Sequence, residues 1–223
     1  MNRETSPTED EIRAYYAARA PEYDRIYQKP ERQDDLLELV AYLPSLFVGR
    51  RVLDIACGTG FWTQHIAPVS KELIGVDAAA STLAIAQARV SGHNARFIVG
   101  DAYNVPDDTG YFDGAFAGFW YSHIPVNRRH EFFANLAKRL SPGATVALLD
   151  NRYVEGSNHP ITDCDEQGNT YQSRKLDDGS EHKVLKNFPT EAELVEATAG
   201  VGTNAVFRAW EYYWVFTYDA FGG

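Results

Sequence analysis

Residues 51–60, Arg-Val-Leu-Asp-Ile-Ala-Cys-Gly-Thr-Gly, constrain the fold of this chain more than any other stretch. Val52 to Ala56 is an apolar run suited to a buried parallel strand. Cys57-Gly58-Thr59-Gly60 stops that run, and Phe61 to Ala67 reads as the start of a helix. A strand, a tight glycine turn and a helix N-terminus together bring backbone N–H groups close to a ligand. Asp54, inside the strand and four residues before Gly58, sets a carboxylate beside the turn. A phosphate is repelled by such a group; an ammonium or a sulfonium is attracted to it.

Two ligand classes use a turn of this kind. The dinucleotide fingerprint is G-x-G-x-x-G. Here Gly58-Thr59-Gly60-Phe61-Trp62-Thr63 lacks the third glycine, and Phe61, Trp62 and Thr63 oppose close pyrophosphate packing. The pattern Asp54-x-x-Cys57-Gly58-Thr59-Gly60 instead resembles motif I of the class I methyltransferases that use S-adenosylmethionine. In that family the turn passes under the amino-acid end of the cofactor, which implies cofactor contacts from Asp54, Ala56, Cys57, Gly58, Gly60 and Trp62.

The rest of the chain alternates in a compatible way. Strands are expected at Val52 to Ala56, Leu73 to Val76, Arg96 to Val99, Phe112 to Phe119 and Thr145 to Leu149. Helices are expected at Ser81 to Val90 and Arg128 to Leu140, the latter stopped by Ser141-Pro142-Gly143. This order argues for an α/β fold with a parallel, doubly wound sheet. Before it, Glu9 to Ala20 reads as a helix with Thr8 as N-cap and Glu11 at capping-box spacing. Glu31 to Leu43 reads as a second helix, with Leu36, Leu37, Val40 and Leu43 on one side and Pro44 ending it. After it, residues 152–189 are polar and turn-rich, with Thr170 to Leu176 a candidate strand. Thr190 to Ala199 resumes as a helix with Thr190 and Glu193 at capping-box spacing, and Ala205 to Ala209 and Tyr212 to Tyr218 are β-like. The expected organisation is one domain over 1–223, an N-terminal helical cap over 9–43 and an acceptor-side insertion over 152–189. The resemblance implies a seven-stranded Rossmann-like methyltransferase sheet whose last strand is antiparallel.

Ligands of open α/β sheets lie at the carboxyl ends of the strands, and three strands here end in acids: Asp77, Asp101 and Asp150. A carboxylate at Asp77, 17 residues after Gly60, can accept from two ribose hydroxyls, in a methyltransferase or a dinucleotide enzyme alike. By resemblance Asp77 and Ala78 grip the ribose, and Asp101 and Ala102 flank the adenine. Phe119-Trp120-Tyr121-Ser122-His123-Ile124-Pro125 takes the place of motif IV, between cofactor and acceptor. It lacks the Asn/Asp-Pro-Pro-aromatic motif of nucleobase methyltransferases. Phe119 and Trp120 are cofactor candidates. His123 is the first candidate for a general base because histidine titrates near neutrality, and Tyr121 is the second; the plain alternative for His123 is packing. The run Tyr15-Tyr16-Ala17-Ala18-Arg19-Ala20-Pro21-Glu22-Tyr23-Asp24 resembles the N-terminal helix that lies over the cofactor in small-molecule members. This implies cofactor contacts from Tyr16, Arg19 and Tyr23, with Tyr15 toward the acceptor. Asn151 and Arg152 stand on the acceptor side, Asn151 to orient the acceptor and Arg152 to bind an anionic one; His159, Tyr171 and Arg174 are candidates in the cover.

Composition weighs against other classes. The chain has 223 residues and a net charge of −10, and no cluster of Lys and Arg marks a nucleic-acid surface. Two cysteines, Cys57 and Cys164, make no disulfide framework and no zinc spacing. The pair Asp150-Asn151 could hold a metal, but the catechol-type members of the family it resembles need further acids at other strand ends, where the fourth strand offers Trp-Tyr-Ser-His, so no metal is expected. No apolar run reaches membrane-spanning length, and the polar start, Met1 to Glu11, is no signal peptide. The expectation is a cytoplasmic enzyme, monomeric or homodimeric, that methylates a small organic acceptor at O or N. Its rivals are a protein side-chain methyltransferase, a non-catalytic cofactor-binding module and a nicotinamide oxidoreductase.

Overall fold

The computed structural model describes residues 20–92, 94–106 and 109–223, with side chains from Asp24 onward. The expected helix over 9–20, with Tyr15, Tyr16, Arg19 and the Tyr23 side chain, lies outside the described residues.

Seven strands form the central sheet in the order β3-β2-β1-β4-β5-β10-β9. These are β1 (Arg51–Ile55), β2 (Glu72–Asp77), β3 (Ala95–Val99), β4 (Phe112–Gly118), β5 (Leu140–Asn151), β9 (Gly202–Ala209) and β10 (Tyr213–Ala220). The first five run parallel, and β10 is antiparallel to both β5 and β9. The strand order reverses around β1, the switch point at which such sheets open a crevice.

The central strands of the sheet are buried on both faces, as their near-continuous apolar sequences require, while the edge strands β3 and β9 are half-buried or exposed. On one face Leu53, Ile55, Val146, Leu148, Trp214 and Phe216 pack with Phe132, Phe133 and Leu194 of α4 (Arg129–Ala137) and α5 (Glu191–Thr198). On the other, Val52, Ala147, Leu149, Tyr213 and Val215 pack with Leu36, Leu39 and Leu43 of α1 (Gln33–Ser45). Helix α2 (Thr63–Ile66) leads out of the glycine loop, and α3 (Ala80–Arg89) follows β2. The Thr190–Glu193 capping box at α5 forms as expected.

Three local expectations are corrected. Pro44 lies inside the last turn of α1 instead of ending it; its missing N–H leaves the Val40 carbonyl without its helical donor, and the helix closes one residue later at Ser45. Leu37 is 69% exposed and Leu39 is the buried residue of that turn. Ser141-Pro142-Gly143 lies within β5, where a bulge between the Phe112 and Gly114 pairs takes up the irregular backbone; α4 accordingly ends at Ala137.

The region 152–189 builds its own small antiparallel sheet, β6 (Asp163–Cys164), β7 (Thr170–Lys175) and β8 (Glu181–Leu185). A 3-10 segment, Ala20–Gln28, leads into α1 across the glycine loop. Arg25 of this segment pairs with Asp177 beside the small sheet, so the two outer elements meet.

Candidate active site

The glycine loop is held by hydrogen bonds to its own strands. Cys57 N–H donates to the Val76 carbonyl at 3.0 Å, and Gly60 N–H returns to the Cys57 carbonyl at 3.0 Å. Ala56, Gly58 and Gly60 have φ of 51°, 55° and 75°. Gly60 has no alternative: a Cβ there would stand 3.0 Å from the Cα of Ala86 in α3. Phe119, at the end of β4, also has positive φ, 57°. Two non-glycine residues in this conformation at neighbouring strand ends mark strain concentrated at one edge of the sheet.

Asp77 accepts from Gly58 N–H on one oxygen, and from Ala79 N–H and the Thr82 hydroxyl on the other, at 2.9–3.0 Å. It therefore shapes the loop, and the remaining lone pairs of its half-exposed carboxylate face outward as acceptors. Ala78 beside it is exposed. Asp101 accepts from Tyr103 N–H at 2.9 Å in the turn after β3, with Ala102 half-buried.

Asp54 is 1% exposed and accepts from the Thr63 hydroxyl at 2.6 Å. Burial pushes its carboxyl up to about 7; the Thr63 hydrogen bond works against this and the charge of Asp77 adds to it. Burial likewise raises the Cys57 thiol well above its usual range, which makes it a packed residue and no nucleophile. Asp54, Ala56, Cys57 and Trp62 line a common cavity with Tyr27. Tyr27 stacks on Phe61 at 3.6 Å. Asp24 accepts from the Thr59 hydroxyl at 2.7 Å and pairs with Arg89 of α3, so the segment before α1 is fastened to the loop.

A second cavity, of about 90 Å3, opens beyond Phe119 and is lined by His123, Asn151 and residues of the small sheet. His123 Nδ1 lies 2.6 Å from the Leu185 carbonyl, which only accepts; this sets the proton on Nδ1 and leaves Nε2 the basic nitrogen of the neutral ring. Asp150 is fully buried and accepts from Ser122 N–H and Asn151 N–H and from Lys186 Nζ, the last at 2.7 Å. Asn151 in turn accepts from Arg32 at 2.8 Å.

The site thus gathers Asp54, Ala56, Cys57, Gly58, Gly60, Trp62 and Asp77 around the loop, and Phe119, His123 and Asn151 around the second cavity. Trp120, expected at the cofactor, lines neither cavity; it packs on the core, edge-on to Tyr103 at 5.9 Å. Tyr121 and Arg152 do not join the two groups either. Tyr121 is fully buried in the core against Phe133 and Trp214 with Arg129 over its ring, and burial raises its hydroxyl to about 12, so it is placed for packing. Arg152 turns to the surface, where it donates to the Trp210 carbonyl at 2.6 Å. Of the cover candidates, His159 and Arg174 line the cavity, whereas Tyr171 is buried with its hydroxyl on Asp165. Arg32, Lys29 and Lys186 were missed; periodicity assigns Arg32 to a helix and no motif marks the other two. Among the described residues no group of three or more His, Cys, Asp and Glu is arranged to hold a metal.

Residues 52–143 match the methyltransferase domain family. A demethylmenaquinone methyltransferase of Staphylococcus saprophyticus is 29% identical over 109 residues, which covers 46% of this chain and 45% of that protein. The chain thus spans about half the length of this curated relative or less. In three dimensions the DhpI–SAH complex superposes with a TM-score of 0.77 at 24% identity, covering 95% of this chain and 96% of that one. The magnesium protoporphyrin IX methyltransferase ChlM of Synechocystis, with bound SAH, gives 0.65 at 15% identity, covering 96% and 100%. Residues 52–143 are thus a methyltransferase domain, and the chain has the Rossmann-like methyltransferase fold. The seven-stranded order belongs to that fold, and the small sheet meets it near the end of β5, through Leu185 on His123 and Lys186 on Asp150.

Proposed function

We propose that this chain transfers a methyl group from S-adenosylmethionine to a small organic acceptor, at O or N. The observation that carries the reading is the glycine loop pinned by Asp77 at the carboxyl edge of β1, beside a buried carboxylate, Asp54, whose acidity is weakened by burial. A cation is the ligand that such a carboxylate favours, and the neighbouring acid at Asp77 suits a ribose. The donor set therefore fits the cofactor: Asp54 and the 56–60 backbone for its amino-acid end, Asp77 for the ribose, and Asp101 and Ala102 for the adenine. When bound, the cofactor supplies a methyl group already activated on a sulfonium.

The chain's own task is then orientation and exclusion of water, which in favourable cases are worth about 7–11 kcal/mol. Phe119 lines the second cavity and packs against Tyr27 and Trp62 of the loop cavity, and Asn151 lines the second cavity. His123 presents Nε2 as the base for an acceptor that must lose a proton, its ring orientation held by Leu185. A protein side chain as acceptor is disfavoured by the small sheet, whose Gln172 and Arg174 form part of the wall of the second cavity.

Calorimetric titration with S-adenosylmethionine, S-adenosylhomocysteine and NAD tests this. Micromolar binding of both adenosyl ligands with silence from NAD supports the reading; binding of NAD alone overturns it. Tight cofactor binding without turnover over a broad acceptor panel would make the chain a binding module.

A further inference from the structure

The indole N–H of Trp62 is a buried donor without an acceptor. Trp62 is 4% exposed, and its Nε1 has no hydrogen-bond partner among the described residues. An indole N–H only donates, and a buried one is usually matched. Of the other tryptophans, Trp210 donates to Glu38 at 2.7 Å and Trp214 to the Asn151 carbonyl at 3.1 Å. Trp120 is also unmatched, but it borders neither cavity.

Trp62 lines the loop cavity together with Asp54. Its pyrrole edge faces the end of β4: a Cβ on Gly118, another lining residue, would stand 3.2 Å from Trp62 Cδ1, the atom bonded to Nε1. The rings of Tyr27, Phe61, Phe116 and Phe119 surround the indole at centroid distances of 5.3–6.5 Å. Packing thus fixes the ring, and none of these neighbours accepts from Nε1. Asp54 is the complementary case. Thr63 donates to its Oδ2, and Oδ1 has no donor among the described residues. The cavity therefore pairs one unmet donor with one unmet acceptor, and no Lys, Arg or His is among its described lining residues. An α-amino-acid end carries both complements. Its ammonium is attracted by a carboxylate; its own carboxylate is repelled by the same group and is met by a neutral donor.

We propose that Trp62 Nε1–H donates to the carboxylate at the amino-acid end of S-adenosylmethionine, while Asp54 takes the ammonium. This rests on the methyl-transfer reading for the cofactor and adds a selectivity: the loop cavity favours adenosyl ligands that keep their carboxylate over those that have lost it.

The test uses the full chain labelled with 15N, whose four tryptophans give four indole N–H signals. S-adenosylhomocysteine, its decarboxylated analogue and 5′-methylthioadenosine are titrated in turn. The Trp62 signal, identified by its loss in Trp62→Phe, should move downfield with S-adenosylhomocysteine and stay near its unliganded position with the other two. Calorimetry closes a cycle. Removing the carboxylate from the ligand, or the indole N–H from the protein by Trp62→Phe, should each weaken binding about tenfold, and both together little more than either alone. Losses that simply multiply would make Trp62 a packing residue and overturn the proposal, as would a Trp62 signal indifferent to the carboxylate. Should Trp62→Phe not fold, sequential assignment identifies the signal and the wild-type titrations decide alone. Failure of S-adenosylhomocysteine to bind would instead overturn the cofactor reading, and this assignment with it.

Discussion

Lys186 and Asp150 form an ion pair at 2.7 Å with side chains 4% and 0% exposed, which joins the small sheet to the end of β5. Buried pairs of this kind cost more when broken than they contribute when intact.

Lys186→Met leaves Asp150 as an unmatched buried charge. We expect a loss of about 3–5 kcal/mol in denaturant unfolding. The double variant with Asp150→Asn should recover part of that loss. A double variant as unstable as the single one would show that packing, and not charge, is what Lys186 contributes.

Asp54 gives the protein a pH dependence with a definite sign. Its folded-state value, about 7, lies above that of an unfolded aspartate, about 3.9, so the native state holds the proton more tightly. Stability from this residue is full below about pH 4 and declines as pH rises to about 7, by about 4 kcal/mol in all. Asp54→Asn should flatten that part of the curve in unfolding experiments at successive pH values. An unaltered pH profile would place the titration elsewhere.

Asp77→Ala removes the acceptor of Gly58 N–H, Ala79 N–H and the Thr82 hydroxyl together. Affinity for S-adenosylhomocysteine should drop by about 1.5–3 kcal/mol, read by calorimetry. Near-normal affinity would deny Asp77 the ribose.

Gly60→Ala combines positive φ with a Cβ pressed on Ala86. A destabilisation of about 1–3 kcal/mol is expected, with weaker cofactor binding because α3 must shift. Unchanged melting and affinity would show that the loop tolerates another conformation.

His123→Gln separates the roles left open for that ring. As a base it should lower kcat far more than it raises the KM for cofactor; equal changes in both would return His123 to a packing role under Leu185.

The loop at 57–60 and the parallel strands were legible because each is local: apolar runs of strand length, ended by glycine or an acid. Leu37 was misassigned because a helix with apolar residues at 36, 37, 39, 40 and 43 offers several faces, and only packing on β1 and β5 selects that of Leu36, Leu39 and Leu43. Tyr121 shares a heptapeptide with His123, yet the turn at Tyr121–His123 sends one ring into the core and the other to the cavity. Arg152 was expected in the cavity from its place after β5; the arginine that reaches Asn151 there is Arg32, 120 residues away in the chain. Convergence of that kind has no period in the sequence.

The stretch from Asp24 to Arg32 serves as a party wall. Asp24 and Tyr27 abut the glycine loop, while Ile26, Lys29 and Arg32 line the second cavity. Two chambers that share one wall cannot be remodelled separately: a guest that shifts the wall on one side changes the fit on the other. Whatever factor one guest imposes on the affinity of the other, the second must return in equal measure.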